Sequence, residues 1–193
     1  MKESVSSKNI AVLVGGSDLF SGLRGISRGT LLIKQAIQPS FDDVLAVNYN
    51  YFLDFGRALA ATKKHLQTAG EIGKLVLYGY SKGGDVVLRL ARLLEELPVH
   101  LLVTIDTANG PWSDQIDRNI AGNVRSVINV FQGTPNLLRS HGAAVCANGK
   151  TAVSNIDLTG KVITGLKVTH GNIEMLMVPQ VINWLAEKKI VHG

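Results

Sequence analysis

The sequence predicts an α/β protein: a three-layer α/β/α sandwich around a mostly parallel sheet of about six strands. Three observations carry that expectation. Short apolar runs of strand type alternate along the chain with segments whose apolar residues recur at helical spacing. Glycines mark several of the turns between them. No repeat, low-complexity tract or linker divides the 193 residues, so 1–193 reads as a single domain with no separate cap domain. A chain of this length can bury a real core, and strands alternating with helices build parallel sheets covered on both faces.

Residues 9–14 (NIAVLV) read as a buried strand ending at Gly15-Gly16, and 31–37 as a short helix. Residues 44–48 (VLAVN) form a second strand. Phe55, Leu59, Thr62 and Leu66 mark one face of a helix that ends near Gly70. A third strand at 75–78 runs into a glycine-rich turn and a helix over 85–97. Residues 99–105 and 124–131 supply a fourth and a fifth strand, and a last strand is expected within 162–168. Pro179 is expected to open the final helix, since proline suits a first helical turn.

Composition narrows the function. The chain is 46% hydrophobic and 18% charged, as globular proteins are. Its net charge of +5 is scattered, with Lys63-Lys64 and Lys188-Lys189 the densest pairs. Without a basic stripe interleaved with aromatics, nucleic acid is not an expected partner. One cysteine, Cys146, excludes an intrachain disulfide and a cysteine-rich metal site, and no metal or cofactor is implied. The N-terminus lacks the apolar core of a signal peptide, and no run approaches the ~20 residues that span a bilayer. A soluble, cytoplasmic protein is the expectation, with leaderless export as the alternative. The oligomeric state is not legible.

In parallel sheets the working residues gather at the carboxyl ends of the strands, so each strand end is a place to look for chemistry. The third strand ends in Gly79-Tyr80-Ser81-Lys82-Gly83, a match to G-x-S-x-G. A serine hydroxyl is a poor nucleophile unless a base lies within hydrogen-bond reach. A sharp strand-to-helix turn lifts Ser81 clear of the sheet and aims the Lys82 N–H at a developing oxyanion. The fourth strand ends at Asp106, a carboxylate that needs a partner once buried. Asp114, Asp117 and Asp157 are its rivals. No Asp or Glu lies between Asp117 and Asp157, so the end of the fifth strand offers no acid. The last expected strand leads into Thr169-His170-Gly171-Asn172. Of five histidines, His170 has the best setting for a general base, with His141 its rival. The first strand ends in Gly15-Gly16-Ser17. This matches neither G-x-G-x-x-G nor a P-loop, and it reads better as an oxyanion loop than as a nucleotide site.

With LVGGS at 13–17, GYSKGG at 79–84, TIDTANG at 104–110 and VTHGN at 168–172, the chain resembles the α/β-hydrolase superfamily, and within it the small, lid-poor lipases and esterases. The resemblance covers nearly the whole chain. It implies a serine hydrolase cleaving lipid-like or aryl/alkyl carboxylic esters through Ser81, Asp106 and His170 and an acyl-enzyme. An acid directly after the strand that succeeds the nucleophile helix is similar to the arrangement in pancreatic-type lipases; many members carry it one strand later. The backbone of Ser17, with Gly16 beside it, and that of Lys82 would form the oxyanion hole. Many members have His-Gly where this chain has Gly15-Gly16. Leu19, Phe20 and Trp112, on loops at the same end, would contact the substrate, or else anchor their loops. The alternatives are a thioesterase or phospholipase on the same fold, such as a leaderless effector, and a catalytically silent binding module.

Overall fold

A computed structural model describes residues 7–16, 26–47, 55–110, 112–133, 140–146 and 149–186. Its centre is a sheet of β1 (Lys8–Val14), β2 (Asp43–Val47), β3 (Ile72–Tyr80), β4 (Leu101–Ile105), β5 (Ser126–Phe131) and β6 (Ala152–Asp157). The order is β2-β1-β3-β4-β5-β6, and each neighbouring pair is parallel. Ile10 to Val14 are all fully buried because both faces of β1 are covered. Ile10, Val12 and Val14 join one apolar cluster, while Ala11 and Leu13 join the other.

Four helices among the described residues supply the outer layers: α1 (Arg28–Ile37), α2 (Phe55–Thr68), α3 (Lys82–Leu93) and α4 (Ile173–Ala186). Leu59 and Leu66 of α2 pack with Val86, Val87 and Leu90 of α3 on one face. Ile33 and Ile37 of α1 pack with Ile173, Val181 and Leu185 of α4 on the other. The architecture is thus the expected three-layer sandwich. The chain passes from β1 to the edge strand β2 and back across β1 to β3. The strand order reverses there, and parallel sheets bind their ligands beyond the carboxyl ends of the strands at such a reversal.

Two expectations need correction. The last strand of the sheet is β6, not a strand within 162–168. That later segment is a separate antiparallel hairpin of β7 (Val162–Ile163) and β8 (Leu166–Lys167). Thr164 and Gly165, at φ 50° and 81°, supply the two left-handed residues a tight hairpin turn requires, and so break the run. Asp157 is the last residue of β6. The second correction concerns Pro179, which lies inside α4 instead of opening it. It leaves the Met175 carbonyl without its helical donor, at a cost of ~3 kcal/mol in a helix interior. Burial of Ile173, Met177 and Val178 ahead of it, and of Val181 and Leu185 beyond it, offsets that cost.

Among the described residues no helix is long and apolar enough to cross a membrane.

Candidate active site

The turn from β3 into α3 is built by close backbone packing. A Cβ on Gly79 would collide with the Gly83 carbonyl, and one on Gly83 with the Val14 carbonyl. Only glycine lets strand and helix approach so closely. Ser81 sits between them at φ 53°, ψ −120°, a conformation that is rare and costly for a residue with a side chain. The turn is held in place by hydrogen bonds from Ser81 N to Ile105 O (2.9 Å) and from Ala108 N to Ser81 O (3.2 Å). The Ser81 side chain does not cap α3.

Instead, Ser81 Oγ lies 2.9 Å from His170 Nε2. His170 Nδ1 lies 2.8 Å from Asp106 Oδ2. Ser81, His170 and Asp106 are 7%, 5% and 0% exposed. They come from the end of β3, the loop before α4 and the end of β4, and the structure brings all three into one hydrogen-bonded chain. Asp106, at φ 45°, also accepts hydrogen bonds from Gln132 N (3.2 Å) and Gln132 Nε2 (3.0 Å). These donors supply the pairing a buried carboxylate needs. On the other side, Tyr80 Oη donates to the His170 carbonyl at 2.6 Å, and its ring stacks on the imidazole at 5.5 Å between centroids. Asn172 closes the turn, accepting from Thr169 N (2.8 Å) and donating to Lys167 O (3.0 Å).

Lys82 is the first residue of α3, so its N–H is among those with no acceptor inside the helix. Burial lowers its ammonium pKa to about 7, with Arg89 adding to the effect and Asp85 opposing it. Gly16 lies directly against the serine: a Cβ there would come 3.0 Å from Ser81 Cβ. Ser17, Leu19 and Phe20 lie outside the described residues. Trp112 is on the loop after β4 and is 54% exposed. Among the described residues no cluster of His, Cys, Asp and Glu could hold a metal ion.

His141, the rival base, is buried, and its ring nitrogens meet no hydrogen-bond partner among the described residues. The structure pairs Ser81 with His170 instead. Burial, then the Arg118 charge, lowers the His141 pKa to about 4, against a partial pull upward from Asp106 and Asp85. The unfolded chain takes up this proton near pH 6.5, so between about 4 and 6.5 it binds more protons than the fold does. Stability is therefore lost as pH falls through that window. Substituting leucine for His141 is expected to flatten the fall in unfolding free energy between pH 6.5 and 4. Parallel slopes for parent and variant would refute this assignment.

Sequence reading missed two residues of the site. Tyr80 is the x before serine in the motif. Gln132 stands just past the fifth strand, where the sequence offers no acid.

No protein-family profile and no curated protein matches the sequence. Solved structures do match the fold. The esterase domain of a Rhodothermus marinus protein superposes with a TM-score of 0.56 at 14% identity, over 92% of this chain and 86% of that one. Est1E from Butyrivibrio proteoclasticus gives 0.55 at 12%, over 93% and 87%. XC6422 from Xanthomonas campestris, described as an α/β serine hydrolase without a lid, gives 0.52 at 14%, over 100% and 88%. The chain therefore has the α/β-hydrolase fold.

Proposed function

We propose that the chain is a serine hydrolase of carboxylic esters, acting through Ser81, His170 and Asp106. The observation that carries this reading is the hydrogen-bonded chain from Ser81 Oγ through both ring nitrogens of His170 to Asp106, starting from a strained strand-to-helix turn. Ser81 Oγ attacks the acyl carbonyl while His170 Nε2 takes its proton. Asp106 holds the imidazole in the tautomer that leaves Nε2 free to accept, and stabilises the imidazolium. The Lys82 N–H, at the positive end of α3, and backbone N–H groups around Gly16 and Ser17 stabilise the oxyanion. The alcohol leaves with the proton from His170. Water, activated by the same ring, then releases the acid. Leu19, Phe20 and Trp112 are the residues proposed to contact the acyl group. The proposed substrate is a small-molecule or lipid ester. One structural neighbour is named as an esterase domain and another as a serine hydrolase, which supports the choice of ester hydrolysis.

The test is covalent. A fluorophosphonate should add one phosphonyl group to the parent protein, measured by intact mass, and none to Ser81→Ala. Absence of labelling in well-folded parent would sink the mechanism. With labelling in hand, p-nitrophenyl esters, acyl thioesters and phospholipid vesicles compared side by side would assign the substrate class.

A further inference from the structure

Glu174 is buried at 4% exposure in the first turn of α4, four residues beyond His170. No cation among the described residues pairs with it. Its Oε1 instead accepts from Ser27 Oγ (2.7 Å), Thr30 Oγ1 (2.8 Å) and Tyr78 Oη (3.1 Å). Burial raises the carboxyl pKa, and these donors oppose the rise. The groups facing it are thus three hydroxyls and the Thr30 N–H, from two elements, α1 with the residue before it and β3.

The placement is specific. Helix α1 has no acidic residue in its first turn and no side-chain cap of its own. Glu174 supplies a carboxylate there from another element, and a helix N-terminus favours a negative charge. Gly29 is what admits it, since a Cβ on Gly29 would stand 2.5 Å from the Glu174 carboxyl carbon. Tyr78 belongs to the strand that delivers Ser81. Ser27 connects to the nucleophile from the other side: its N and Oγ both lie 3.0 Å from where a Cβ on Gly15 would be, and Gly16 abuts Ser81.

We propose that Glu174 is a positioning residue for the ester hydrolysis, holding Ser27 against Gly15 so that the Gly15-Gly16 backbone keeps its place beside Ser81. The inference rests on the serine-hydrolase reading. It makes Glu174 one clamp joining the three segments that carry the nucleophile, the histidine and the oxyanion loop. Small displacements of such a loop are expensive, on the order of 100-fold in rate for 1 Å.

A double-mutant cycle tests it. Glu174→Gln and Ser27→Ala are each expected to lower kcat and the rate constant of fluorophosphonate labelling by about 10- to 100-fold. KM should change little, because the loop acts on the transition state. The double variant should be no slower than the worse single variant, since both cut the same connection. Gly29→Ala, which displaces the carboxyl without removing it, should share the phenotype and replaces Glu174→Gln in the cycle if that variant does not fold. A labelled parent whose Ser27→Ala and Glu174→Gln forms keep parental kcat would overturn the clamp alone, as would losses that multiply in the double variant or a fall in thermal midpoint with kcat intact. A parent that is not labelled overturns the hydrolase reading and the clamp with it.

Discussion

His170→Ala is expected to lower kcat for ester hydrolysis by about 10⁶-fold, to near the level of Ser81→Ala. The two residues act as one unit: without the imidazole, the hydroxyl keeps its proton and gains nothing from its turn. Combining the two substitutions should therefore cost little more than either alone. Asp106→Asn should be milder but still severe, about 10⁴-fold, because the ring loses the acceptor that fixes its tautomer. Thermal midpoints will separate chemistry from folding. His170 is buried, and its loss removes the Tyr80 stacking contact and one of the hydrogen-bond partners of Asp106. A His170→Ala protein that melts normally and retains even a hundredth of parental kcat would mean that another group serves as base, and His141 would be the first to examine.

Gly83→Ala is expected to destabilise the fold by about 3 kcal/mol or more, a large part of the ~5–15 kcal/mol that holds a domain together. The added methyl has no flexible neighbour to displace. It meets the carbonyl group of Val14 and, at 2.9 Å, the carbonyl oxygen of Gly15, which is backbone at the end of a central strand. Relief requires α3 to move away from the sheet, carrying Ser81 with it. Activity should fall together with stability. Gly56→Ala provides the contrast: it lies in α2 with open space around it, so the substitution should stabilise by roughly 0.5–1 kcal/mol. Urea unfolding of both variants checks the pair, and equal midpoints would refute the packing argument.

Much of the fold is legible because buried parallel strands advertise themselves. IAVLV, LVLY and LLV are continuous apolar runs, and the structure buries each of them. β6 is not legible for the same physical reason in reverse. AVSNID lies at the sheet edge with most of its residues exposed, so it has neither an apolar run nor a clean alternation. Its neighbour VITGLKV resembles a core strand because apolar residues dominate it, although Val162 and Leu166 are 63% and 55% exposed. Of the candidate site, the residues that occupy strand ends can be found by walking from strand to strand. Gln132, Tyr80 and Glu174 cannot be assigned that way. Their positions are legible, but each acts through a partner distant in sequence: Gln132 on Asp106, Tyr80 on His170, Glu174 on Ser27. Only the packed structure shows which hydroxyl meets which carboxylate.

The histidine reaches the serine across 89 residues and the acid across 64. The segment that carries it enters the fold through α4, which lies against α1 and closes one apolar layer. Contacts between segments so far apart in sequence are costly to close and tend to form late. During synthesis, Ser81 and Asp106 are both made long before His170. On the proposed chemistry the growing chain therefore carries an unarmed serine, and the helix that completes the layer also delivers the base. A truncated or half-folded copy would be inert toward esters, so activity itself would report that α4 has docked.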